Sequence, residues 1–156
     1  MMSHLARGYR TANCLRQLSH PPAITKSIAQ RHGFKTTGEL SPELFCAAHL
    51  ASLTESAVNN LHQSDYGIPV NYEHLPNYLY EHVLPNRMGV KTTETEIERI
   101  LQVSSQYSKG RGDRKREWQE DSDQKEKIAS DEVRHAAKTF LKESYETLES
   151  LAQEML

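Results

Sequence analysis

The stretch Gly67-Ile68-Pro69-Val70-Asn71-Tyr72 decides how the fold of this 156-residue chain is read. It is short, partly β-branched, and bounded by Gly67 on one side and by the turn-like Glu73-His74-Leu75-Pro76 on the other, which is the pattern of a strand. Pro69 cannot donate to a ladder, so such a strand is confined to an edge or to its first residues. A lone strand cannot satisfy its own backbone groups and needs a sheet supplied by an upstream segment or another chain. The expectation is an α/β fold of which this chain is a helix-rich piece, with an uncovered strand edge through which it associates.

Around that stretch the signals are helical. Ser41-Pro42-Glu43 places a capping hydroxyl, a proline at the first helical position and an acid in the first turn, and predicts a helix over 42–62. Its apolar stripe is expected through Leu50, Leu53, Ala57 and Leu61. Pro76 is expected to start a helix ending near Leu84. Thr93 with Glu96 makes a capping box ahead of Ile97, Ile100 and Leu101. Ser130 is expected to cap a last helix whose buried face runs through Val133, Ala137, Phe140, Leu141, Leu148, Leu151 and Met155. Pro21-Pro22 reads as a connection and 31–38 as polar loop.

The length fits one domain or a piece of one. The apolar fraction of 37% is low, so the core must be concentrated in a few amphipathic elements. A net charge of −2 argues against nucleic acid or an anionic membrane as a partner, and any anion site must be local. No run approaches the ~20 apolar residues of a membrane span. Cys14 and Cys46 have no metal-ligand or disulfide-framework spacing, so a reducing, cytoplasmic setting is the default. Cys46 reads as core packing. The eight histidines form no HxxxH or HExxH spacing and no pairing with a nucleophile, so they read as surface or capping residues, and neither a metal site nor a catalytic residue is expected.

The densest charge lies in Tyr107-Ser108-Lys109-Gly110-Arg111-Gly112-Asp113-Arg114-Lys115-Arg116-Glu117-Trp118. Between 109 and 116 five bases face one acid, a local +4 in a net-negative chain. Gly110 and Gly112 free the backbone to turn successive N–H groups towards an anion, and Lys109 and Arg111 add charged donors. The same composition fits a solvated loop paired with Glu117, Glu120, Asp121 and Asp123 equally well.

Read in order, several segments resemble the C-terminal half of sulfotransferases, which transfer a sulfuryl group from 3′-phosphoadenosine 5′-phosphosulfate to an acceptor. Ser108-Lys109-Gly110-Arg111-Gly112-Asp113 with Trp118 is similar to the family's basic glycine loop that holds the 3′-phosphate, Ser108 standing where the family has arginine. Ile68-Pro69-Val70-Asn71-Tyr72-Glu73-His74-Leu75 looks like its strand ending in Tyr-Glu-Asp-Leu, with Tyr72 in the place of the tyrosine that lies on the adenine. Met2-Ser3-His4 resembles the end of its 3′-phosphate motif, with Ser3 as the serine. The resemblance implies a nucleotide cosubstrate contacted by Ser3, Tyr72, Lys109, Gly110, Arg111 and Gly112, and an acceptor whose identity it leaves open.

It also implies a fold class: a helix-rich C-terminal fragment of a P-loop-type sulfotransferase three-layer domain, with 1–156 a partial domain. Gly33-Phe34-Lys35-Thr36-Thr37-Gly38-Glu39-Leu40 has phosphate-loop glycines, but Glu39 and Leu40 stand where lysine and a hydroxyl are needed. The first phosphosulfate loop and the catalytic base are therefore expected upstream, and the chain alone is expected to be inactive. The competing expectation is a non-enzymatic helical interaction module, in which the helices over 42–62 and 131–155 make partner contacts and the basic loop is merely solvated.

Overall fold

A computed structural model of the chain describes residues 12–63, 67–104 and 122–154. In chain order these form a 3₁₀ turn (Asn13–Gln17), α1 (Ala23–Arg31), a second 3₁₀ turn (Thr37–Glu39), α2 (Pro42–Gln63), a third 3₁₀ turn (Tyr72–His74) and a π-helical segment (Leu79–Arg87). Then follow α3 (Glu94–Ser104), α4 (Ser122–Ile128), α5 (Asp131–Phe140) and α6 (Lys142–Gln153).

Helix accounts for 76% of the described residues and none lies in a strand, so the expected α/β class, with its three-layer sheet domain, is corrected to all-α. The correction centres on the deciding stretch. Residues 67–71 carry no regular structure and Tyr72 opens a 3₁₀ turn. The Asn71 side chain accepts the Glu73 amide at 2.9 Å, a local bond that bends the backbone where a strand would continue. Without a strand among the described residues there is no strand edge there, and the association expected through one has no surface.

The chain divides into two compact units, Met1–Pro69 with Ser122–Leu156, and Val70–Asp121. In the first, α2 is the central element and packs on α1, α5, α6 and the Asn13–Gln17 turn. Ser41 starts it as expected, its hydroxyl accepting the Leu44 amide at 3.3 Å and its carbonyl the Phe45 amide at 2.8 Å. Its buried face differs from the expected stripe. Leu53 is 56% exposed and Ala57 is exposed, whereas Phe45, Cys46, Ala47, Ala48, Ala51 and Ser52 are buried. Four consecutive buried positions, 45–48, mean that neighbours cover this helix on more than one side. Small alanines permit that close approach where leucines would hold the neighbours off.

Ile28 and Ala29 of α1, Phe45, Ala48 and Ala51 of α2, and Ala136 and Phe140 of α5 belong to one core cluster, with Phe34 and Leu141 against it. Helix α1, which no sequence signal anticipated, begins directly after the Pro21-Pro22 connection. It ends on Gly33, whose φ of +87° lets the Gly33 amide reach the Gln30 carbonyl and the Phe34 amide reach the Ala29 carbonyl. The glycine of the rejected phosphate-loop stretch is thus a helix stop. Ser130 caps α5 as expected, accepting the Val133 amide at 3.3 Å. The single last helix expected there is two, interrupted at Leu141. Its buried positions include Ala136, Ser144 and Ala152, while Ala137 and Leu148 are half-buried.

The two cysteines, expected to be unpaired, form a disulfide: Cys14 on the first 3₁₀ turn and Cys46 on α2, with 5.3 Å between their Cα atoms. Their sequence separation of 32 has no recognisable spacing, because the bond depends on the first turn folding back across the start of α2.

In the second unit, Tyr78 is buried and stacks on His82 with ring centroids 5.0 Å apart. The helix expected from Pro76 is instead widened into the π-helical segment, which contains Pro85. Proline has no amide for an α-helical bond, and the Met88 amide reaches back to the Val83 carbonyl at 3.2 Å. The capping box of α3 is present: Thr93 donates its amide and hydroxyl to the Glu96 carboxylate, both at 2.8 Å. No described helix is long and apolar enough to cross a membrane.

Candidate functional site

Of the six residues expected to contact a nucleotide, the structure describes Tyr72. Ser3, Lys109, Gly110, Arg111 and Gly112 lie outside the described residues, as does the whole basic loop 107–118.

Tyr72 is the first residue of its 3₁₀ turn. The chain there is fixed by short-range bonds: the His74 amide to the Asn71 carbonyl and the Leu75 amide to the Tyr72 carbonyl, both at 3.1 Å. With Asn71 capping through its side chain, the turn is closed by its own residues. The Tyr72 side chain points outward and is 64% exposed. Core packing, the ordinary fate of an aromatic at the end of an apolar stretch, is therefore not what it does here. Aromatic rings left exposed on a surface are the kind of group on which a base stacks. No family model matches this chain, and no curated protein and no solved structure matches it.

The first unit carries an open groove of about 550 Å³ where the end of α1, the middle of α2 and the α5–α6 junction meet. Arg31, Glu55, Lys138, Lys142, Glu143 and Glu146 line it. The Arg31 guanidinium places one nitrogen 2.7 and 2.6 Å from the two Glu55 oxygens, and Lys142 lies 3.8 Å from Glu146. Three cations and three carboxylates balance in formal charge and leave no net field for an anion. The groove thus lacks the character of a phosphate site. The sequence held no signal for it, because it is assembled from positions more than a hundred residues apart.

Among the described residues no group of three His, Cys, Asp or Glu side chains is arranged to hold a metal ion. Among the described residues two carboxyls are held below the ordinary range, and both belong to helix starts. Glu96 is lowered by the Thr93 amide, then by the Thr93 hydroxyl. Glu132 is lowered by its own backbone amide, then by the Ser130 hydroxyl. They are capping groups, and their ionisation serves α3 and α5.

Proposed function

We propose that this chain is sulfotransferase-related and contributes the adenine and 3′-phosphate contacts of a 3′-phosphoadenosine 5′-phosphosulfate site, without performing sulfuryl transfer through its own residues. One observation supports it beyond the sequence resemblance: Tyr72, the residue matched to the adenine-stacking tyrosine, is 64% exposed on a hydrogen-bonded turn. Lys109 and Arg111 would supply charge-assisted bonds to the phosphate, Gly110 and Gly112 the close backbone approach, and Ser3 a hydroxyl donor. The acceptor is left open, and with Cys14 and Cys46 paired the cysteine argument for a reducing, cytoplasmic setting no longer stands.

Titration of 3′-phosphoadenosine 5′-phosphate into the full chain by calorimetry tests it. Loss of one stacking face is worth about 1–3 kcal/mol, so Tyr72→Ala should weaken binding by roughly 5- to 150-fold. Lys109→Ala should weaken it by a similar factor through the lost charged bond. Equal affinity of the unsubstituted chain and both variants would remove these residues from the role.

The second reading, a non-enzymatic helical interaction module, is favoured by the strand-free architecture of the described residues. It ranks lower because the helices it would offer to a partner are used internally, α2 packing on both α5 and α6. Absence of saturable binding by the unsubstituted chain, together with a cooperative unfolding transition, would favour it.

A further inference from the structure

The Cys14–Cys46 pair stands apart from the residues discussed for nucleotide binding and from the main core. It sits in a second, smaller apolar cluster made of Ala12, Cys14 and Cys46 with Leu15 packed against it. Both sulfur-bearing side chains are enclosed, Cys14 at 1% and Cys46 at 0% exposure. Their Cα separation of 5.3 Å lies in the range a disulfide spans.

Among the described residues, what else holds the 12–20 segment is apolar packing, with Leu15 set against both this cluster and the main core. Its described hydrogen bonds stay inside it: the Leu15 amide to the Ala12 carbonyl, the Leu18 amide to Leu15 and the His20 amide to Gln17. Its 3₁₀ turn has no side-chain cap, and Leu18 at its end is 43% exposed. A few apolar contacts and one covalent bond therefore tie this segment to α2. The core built on Ile28, Phe45, Ala136 and Phe140 does not use either cysteine.

We propose that Cys14–Cys46 is a redox latch. In the disulfide form it clamps the 12–20 segment over the start of α2, and in the dithiol form the segment lifts while the α1–α2–α5 core stays folded. The opening reagent is a dithiol, either a small molecule or a thioredoxin-like protein. One of its thiolates attacks a sulfur of the pair, the S–S bond breaks and the displaced cysteine leaves as a thiolate. The second thiol of the reagent then resolves the mixed disulfide. The chain gains two electrons and two protons as two thiols, and the reagent becomes a disulfide. Closure is the reverse, with oxidised glutathione as the disulfide oxidant. Because both sulfurs are enclosed, attack requires a local opening that exposes one sulfur while the bond is still intact, and the segment lifts only once the bond is broken.

The full chain, purified without reductant, tests this by alkylation under denaturing conditions and by amide exchange followed by mass spectrometry. Alkylation is expected only after reduction, at two sites. On reduction with dithiothreitol, amides of 13–20 should exchange at least tenfold faster while those of α2 and α5 keep their rates. Oxidised glutathione should restore the protection. The C14S/C46S double variant should resemble the reduced chain, and should that variant fail to fold, the reduced and reoxidised native chain carries the measurement. Two alkylated thiols before reduction would overturn the latch, as would unchanged exchange at 13–20 on reduction. Acceleration spread equally over α2 and α5 would also overturn it, because the bond would then be holding the whole core.

Discussion

The hydroxyls of Thr54 and Ser144, 90 residues apart in sequence, share a hydrogen bond of 2.7 Å at the seam between α2 and α6. Each also has a carbonyl within reach on its own helix side, Ala51 at 3.1 Å for Thr54 and Leu141 at 3.3 Å for Ser144. Removing one hydroxyl therefore leaves the other with an acceptor, and the loss stays towards the lower part of the usual range. Ser144→Ala and Thr54→Val should each cost about 0.5–1 kcal/mol, with positive coupling in the double-mutant cycle. Urea melts of the four proteins check this, and strict additivity would mean that the contact contributes nothing.

Phe45 and Leu53 lie on the same helix and should behave in opposite ways. Phe45 is fully buried among α1 and α5 side chains, so Phe45→Ala leaves a cavity and should cost about 3–5 kcal/mol. Leu53, more than half exposed, should tolerate alanine within about 0.5 kcal/mol. Thermal unfolding followed by far-UV circular dichroism separates the two. A large loss from Leu53→Ala would return the buried stripe to the face the sequence suggested.

The Thr93–Glu96 capping box should make α3 sensitive to acid. The Glu96 carboxyl titrates below its ordinary value, first because the Thr93 amide and then because the Thr93 hydroxyl binds the charged form. A depressed folded value means that the capping contribution is fully present above the unfolded pKa and is lost as pH falls through the lower, folded one. Carboxyl titration by NMR should show Glu96 moving back towards the ordinary value in Thr93→Ala. The shift should be partial, because alanine keeps the Thr93 amide; an unmoved Glu96 would deny the hydroxyl its share.

Reduction of Cys14–Cys46 should also lower global stability, by less than chain entropy alone would give. A closed loop whose ends are 32 residues apart contributes about 3–4 kcal/mol in the entropic account. The reduced native state recovers part of this through the freed 12–20 segment. Urea midpoints with and without dithiothreitol measure the difference, and a loss above that range would point to a bond that supports the main core.

The local starts of helices could be read directly. Ser41, Thr93 with Glu96, and Ser130 make bonds to amides three residues away, so residue type and spacing are enough to specify them. The position of Tyr72 in a turn-bounded stretch was likewise visible, while its exposure was not.

What only the tertiary structure decided is non-local. The buried side of α2 was misread because the burial of Ala47, Ala48 and Ala51 depends on how closely α1, α5 and α6 approach, which no periodicity within α2 records. The Cys14–Cys46 bond depends on a turn folding back over a helix that begins some thirty residues later. The strand expected from Ile68 to Tyr72 failed for the same reason. A strand exists only where a partner meets its backbone groups, and no described segment pairs with this one; the Asn71 side chain instead accepts the Glu73 amide and turns the chain just beyond it. Sequence determined the caps because hydrogen bonds to neighbouring amides are local. Tertiary structure decided burial, pairing and class, because each depends on what another part of the chain brings to the same place.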